Sequence, residues 1–309
     1  MLDFKGKKVG AILSCNEIQK YIDWIPYAAK AWENNGAVPV IILVNHDVIP
    51  ENLKVEGWDV RLLPKIEGIL SSYQAQIVRQ FYAGILVEYD AVITSDLDTI
   101  CLPSKTFFER YINESIEDNK FIATRYNHPE IFIPWNVAPP KIWSEVMGGI
   151  NTVEDVVTYI KSIFEQGGGY QNVNNFKHPN VYYTIDQMVL TKQVFEYAMD
   201  KNTQGKGQVN GIIQTSITPD MDWAHHRNYM VPYINNNKVK IIDKLDLFQS
   251  YITEDGKVIE AGTYQWNNND KKEITLEDLN PERHICLGTG NATNFSKEIL
   301  DWTLNNLWK

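Results

Sequence analysis

Unbroken apolar runs punctuate the first part of the chain. They alternate with stretches whose apolar positions recur every three or four residues. Residues 38–44, VPVIILV, are the clearest run. A strand can be apolar throughout only where both of its faces are buried, as in a sheet with helices on either side. Residues 8–14, 59–63, 91–95 and 120–124 read as further strands, and 18–34, 71–87 and 104–115 as helices. The helix over 71–87 begins at Ser71, a residue type that suits an N-cap. Strands and helices thus alternate through residues 1–125. That alternation predicts an α/β fold with a mostly parallel central sheet flanked by helices.

The remainder is less regular. Residues 152–164 read as a helix capped by Thr152, and 294–307 as a closing helix. Residues 239–242 and 250–252 read as strands, while 185–199 mixes both patterns. The Gly-rich 167–169 and the Asn-rich stretch after it read as a surface loop. There is no internal repeat and no linker-like stretch. We therefore expect one domain over 1–309, with a regular half at 1–125 and a second half at 126–309.

Charge narrows the function. The formal net charge is −10, which argues against a nucleic-acid partner, because nonspecific binding depends on Lys and Arg neutralising phosphates. Cys15, Cys101 and Cys286 are too widely spaced for a zinc pattern, and an odd count does not make a disulfide framework. A reducing compartment fits best. The N-terminal apolar stretch is too short for a membrane span and lacks a small-residue cleavage site. The expectation is a cytoplasmic enzyme of bacterial or viral type without a membrane span.

Candidate chemistry centres on SDLDTI at 95–100, where the apolar run of 91–94 gives way to two aspartates. In sheets of this kind ligands sit beyond the carboxyl ends of the strands. Paired carboxylates there suit Mn²⁺ or Mg²⁺, which prefer oxygen ligands and can neutralise a diphosphate leaving group. Asp96 and Asp98 also suit a simple turn before Pro103.

The combination resembles the GT-A glycosyltransferases, which share a Rossmann-like sheet and a D-x-D motif after a strand. The resemblance implies a sugar transfer from a UDP- or GDP-sugar to a hydroxyl of a glycan or glycoconjugate. It implies Asp98 as main metal ligand, Asp96 at the metal or the ribose, and His284 completing the shell with Mn²⁺ (or Mg²⁺). Gln76 and Arg79, three apart on one helical face, would approach the nucleotide, with the Arg79 fork on the diphosphate. Ser14 and Asn16, at the end of the first strand, would meet base and ribose. Asp186 in YYTIDQMVL would be the catalytic base of an inverting enzyme, and Asp222 and Trp223 would hold the acceptor. In these terms 1–125 is the nucleotide-sugar half and 126–309 the acceptor half.

Each residue also has a structural reading: a helix cap for Asp186, a core position for Trp223, a satisfied buried histidine for His284. DLDTI further resembles the haloacid-dehalogenase phosphatase motif, where the first Asp is the nucleophile. That motif belongs on the first strand and ends in Thr or Val where this chain has Ile100. A GT-A module that binds nucleotide or sugar without turnover is the remaining alternative.

Overall fold

The computed structural model describes residues 1–124, 131, 133–166, 185–198, 237–242, 248–253, 257–262, 272–288 and 297–308. In chain order it begins with β1 (Val9–Cys15), α1 (Gln19–Asn35), β2 (Val38–Val44), β3 (Asp59–Leu63), α2 (Ser71–Tyr82), β4 (Ala91–Thr94) and β5 (Thr99–Cys101). Next come α3 (Arg110–Asp118), β6 (Phe121–Thr124), β7 (Val137–Ala138), α4 (Pro140–Val146), α5 (Val153–Gln166) and α6 (Ile185–Ala198). The last elements are β8 (Val239–Ile242), β9 (Phe248–Ile252), β10 (Val258–Gly262), β11 (Lys272–Ile274), β12 (His284–Gly288) and α7 (Lys297–Asn306).

The central sheet has the order β3-β2-β1-β4-β7-β6-β8. Its first four strands are parallel; β7 runs antiparallel between β4 and β6, and β8 is again parallel to β6. This is the mostly parallel sheet flanked by helices anticipated from the apolar runs. Side-chain alternation explains those runs. Ile12, Val40, Ile42 and Val92 pack on one face with Ile77 and Phe81 of α2, Trp143 of α4 and Leu190 of α6. Leu13, Ile41 and Leu43 pack on the other face with Ile22 and Ile25 of α1.

A second sheet was not anticipated. Its order is β11-β10-β9-β12-β5, with β5 antiparallel to β12. At three residues, β5 is too short to announce itself in an apolar pattern.

Several boundaries moved for local reasons. α2 has Leu70 at its N-cap position, without a side-chain cap, so Ser71 is inside the helix. Its hydroxyl donates instead to Glu17 Oε1 at 2.9 Å. α2 ends at Tyr82 and tightens into a 3₁₀ turn over Ala83–Ile85, where Gly84 meets α4 backbone to backbone. The helix expected over 104–115 starts as a π turn, Lys105–Glu109, before α3. The ambiguous 185–199 resolves as α6, with Val189, Leu190, Val194 and Ala198 in the core beside α2 and α4. Thr152 does cap α5: its Oγ1 accepts the Asp155 N–H at 3.1 Å, and Asp155 Oδ2 accepts the Thr152 N–H at 2.9 Å.

Candidate active site at the joint of the two sheets

The two aspartates sit where the chain passes from one sheet to the other. β4 ends at Thr94, yet the Ser95 N–H still donates to Ile12 O at 3.1 Å, so the chain leaves the central sheet only at Asp96. It enters the second sheet at Thr99. The turn between is pinned from three sides. Arg79 Nη1 donates to Ser95 O at 2.6 Å, Trp32 Nε1 to Ser95 Oγ at 2.9 Å, and Thr99 Oγ1 to Asp96 O at 3.1 Å. Ser95 is fully buried, whereas Asp96 and Asp98 are half-buried and face a cavity of about 240 Å³.

That cavity collects most of the residues singled out in the sequence. Ser14 and Asn16 reach it from the end of β1, Gln76 and Arg79 from α2, Asp96 and Asp98 from the joint, and Asp186 from the start of α6. Behind the cavity wall, Gln80 of α2 supports Asp186: its Nε2 donates to Asp186 O at 3.3 Å. Sequence reasoning missed Gln80, although it adjoins Arg79 on α2. It also missed the wall formed by Ile133 and Pro134. That wall depends on Trp135, whose left-handed backbone (φ 68°) lets its N–H donate to Thr94 O at 2.6 Å. No pattern in the sequence announces such a turn.

Arg79 is the centre of charge. Only 7% of it is exposed. Its guanidinium makes a short contact with Asp96 Oδ1, and Nη2 lies 3.7 Å from Asp186 Oδ2. Burial alone would lower its pKa, but Asp96 and Asp186 more than offset this and raise it. The fork is thus turned toward the protein's own carboxylates. Asp98 is pushed up to about 6, first by burial and then by the neighbouring Asp96 charge. Asp186, 5% exposed, is also raised to about 6 by burial, although Arg79 pulls the other way. Its Oδ1 accepts the Gln187 N–H at 2.8 Å, so the helix start holds the carboxylate in place.

Other expected roles fare differently. The Ser14 hydroxyl donates to Ala75 O at 2.5 Å, tying β1 to α2, and has no proton left for a ligand. Gln76 lines the cavity, and among the described residues its buried Oε1 has no hydrogen-bond partner. His284 is a correction. It opens β12 in the second sheet and does not line the cavity. Its Nδ1 accepts the Asn280 N–H at 2.9 Å and its Nε2 lies 2.7 Å from Glu260 Oε2. With both ring nitrogens engaged, it has no lone pair for a metal. Register explains the misreading: Gly288, not His284, lies opposite Thr99 next to the aspartates. Asp222 and Trp223 lie outside the described residues.

The donor set fits an oxygen-preferring cation in part. Asp96 and Asp98 both line the cavity, and Asp98 is raised first by burial and then by the neighbouring Asp96 charge, which a bound cation would offset. Among the described residues no cluster of three or more His, Cys, Asp or Glu could hold a metal by itself. Mn²⁺ or Mg²⁺ commonly takes one or two carboxylates and completes its shell with substrate phosphates.

The chain is similar in structure to known glycosyltransferases. One is the glycosyltransferase GlyE of Streptococcus pneumoniae TIGR4, at 14% identity over 80% of this chain and 68% of that one, with a TM-score of 0.34. Another is an active-site mutant of LgtC, at 13% identity over 49% of this chain and 69% of that one, with a TM-score of 0.30. No protein-family model and no curated protein matches the sequence. Among the described residues no helix is long and apolar enough to cross a membrane.

Proposed function

We propose that this protein is a metal-dependent glycosyltransferase that moves a sugar from a UDP- or GDP-sugar to a hydroxyl of a glycan or glycoconjugate. The observation that carries the reading is the meeting of Asp96, Asp98 and Asp186 around Arg79 in one cavity, at the carboxyl ends of β1 and β4. A bound Mn²⁺ or Mg²⁺, held by Asp98 and Asp96, would supply positive charge against the departing diphosphate. The chain's own residues divide the remaining work. Arg79 has a planar fork suited to phosphate oxygens. Asp186 is raised toward neutrality by burial, which suits a group that takes a proton from an acceptor hydroxyl. Gln76, which lines the cavity one helical turn before Arg79, would approach the nucleotide.

A phosphatase of the haloacid-dehalogenase type would need Asp96 as nucleophile. Its Oδ1 is held by the Arg79 guanidinium, and it follows the fourth strand instead of the first, so the geometry disfavours that chemistry.

The test is thermal unfolding with UDP and GDP, each with and without Mn²⁺, alongside donor hydrolysis by the wild type and Asp98→Asn. A ligand at a hundredfold excess over its dissociation constant adds about 2.7 kcal/mol of stability. A metal-dependent rise in Tm, with Mn²⁺-dependent hydrolysis lost in Asp98→Asn, is the expected result. Unchanged turnover in that variant would remove Asp98 from the reaction. Binding with no turnover of any donor would make the protein a nucleotide-binding module.

A further inference from the structure

Three carboxylates line the cavity, and Arg79 is the one cation among the described residues that line it. The net charge of this set is three negative against one positive, or −2. Arg79 does not sit midway. It contacts Asp96 Oδ1 directly and donates to the adjacent Ser95 O at 2.6 Å, while Asp186 Oδ2 is 3.7 Å away. Asp98 makes no ion pair among the described residues. The protein therefore offers a divalent cation two carboxylates, and one of them is already neutralised by an internal counter-ion. A cation arriving alone must compete with a buried guanidinium for Asp96. A diphosphate arriving alone meets a pocket of like charge. Each ligand removes the other's obstacle: the cation offsets the carboxylates, and the phosphates give the guanidinium a new partner.

Resting on the glycosyltransferase reading, we propose that Arg79 is a latch on the cation site. It holds Asp96, so that a divalent cation binds poorly by itself and well only together with a nucleoside diphosphate. Such coupling is reciprocal, so the cation tightens the nucleotide by the same factor as the nucleotide tightens the cation.

The experiment is a Mn²⁺ titration followed by electron paramagnetic resonance, which reads free Mn²⁺ without any turnover. It uses the wild type, Arg79→Gln and Arg79→Lys, each alone and with saturating UDP or GDP. In the wild type the nucleotide should tighten Mn²⁺ by about tenfold or more, the scale of one unit charge removed from a half-buried site. Arg79→Gln should bind Mn²⁺ alone about tenfold tighter than the wild type, with most of the nucleotide effect gone. Arg79→Lys keeps the charge but lacks the fork, and should fall between the two. If Arg79→Gln does not fold, the Lys variant decides: a Mn²⁺ constant equal to the wild type's overturns the latch. Equal Mn²⁺ constants for all three proteins, with equal nucleotide effects, would also overturn it while leaving the glycosyltransferase reading intact. No Mn²⁺ binding by the wild type with either nucleotide would instead overturn the reading on which the latch rests.

Discussion

The environment of Asp98 has a consequence for stability. Its pKa is raised to about 6, by burial and by Asp96, against an ordinary value of about 3.9. A carboxyl raised in the folded state holds its proton more tightly there than in the unfolded chain. Between the two values the native state binds more protons, so stability falls as pH rises. The contribution is fully present below about pH 4 and is lost as pH passes through about 6. Asp186 acts in the same direction. The metal-free wild type should therefore show a Tm that drops from about pH 4.5 to pH 7, against a shallower drop in Asp98→Asn. Parallel curves for the two proteins would mean that Asp98 has an ordinary pKa. At this scale the sequence was informative about residue type and poor about orientation. Asp96 and Asp98 stood out because two carboxylates close an apolar run, whereas Arg79 and Asp186 were picked out by the resemblance to the GT-A pattern. That Arg79 turns inward, and that Ser14 spends its hydroxyl on Ala75, depends on contacts between residues far apart in the chain. His284 looked like a ligand and is a buried hydrogen-bonding centre of the second sheet, joined to Glu260 and Asn280.

Elements were legible where burial is symmetrical. β2 and β3 fall on the expected residues, because a run buried on both faces, or one closed by turns, marks its own ends. Helix ends were less legible, since a close approach from another element can end a helix without any local signal. Gly84 shows this best. A Cβ built there would lie 2.9 Å from both Cα and N of Ser144, and backbone cannot swing away as a long side chain can. Replacing Gly by Ala in a permissive helical site gains at most about 1 kcal/mol from the unfolded chain. Forcing an extra methyl into a packed contact costs about 1–3 kcal/mol. The clash wins, so Gly84→Ala should lower the urea midpoint without changing its slope. It should also loosen α4 against α2 and with it the support of Asp186, since α6 packs on both helices. An unchanged or raised midpoint would show that the two helices separate at little cost.

At the scale of the molecule, the aspartates answer to both sheets. Ser95 belongs to the central sheet through Ile12, and Thr99 to the second through Gly288. Only Asp96, Leu97 and Asp98 lie between. The second sheet was hidden in the sequence because its contribution at this point is a three-residue strand whose partner lies 185 residues away, Cys101 opposite Cys286. A ligand gripping Asp96 and Asp98 must therefore steady the β5–β12 pairing as well as the pocket. Amide hydrogen exchange can see this. The Leu102 N–H donates to Ile285 O at 2.9 Å, immediately beyond the joint, and should exchange by local opening of β5. If that opening releases the ligand, saturation with Mn²⁺ and nucleoside diphosphate at a hundredfold excess slows Leu102 exchange by about a hundredfold. β3, at the far edge of the central sheet, should show little change in its locally opening amides. Protection rising at Ser95 but not at Leu102 would mean that the pocket is organised by the central sheet alone. Protection at both would make the second sheet part of the binding site's stability, and would explain why the motif lies at a joint instead of at the free end of a strand.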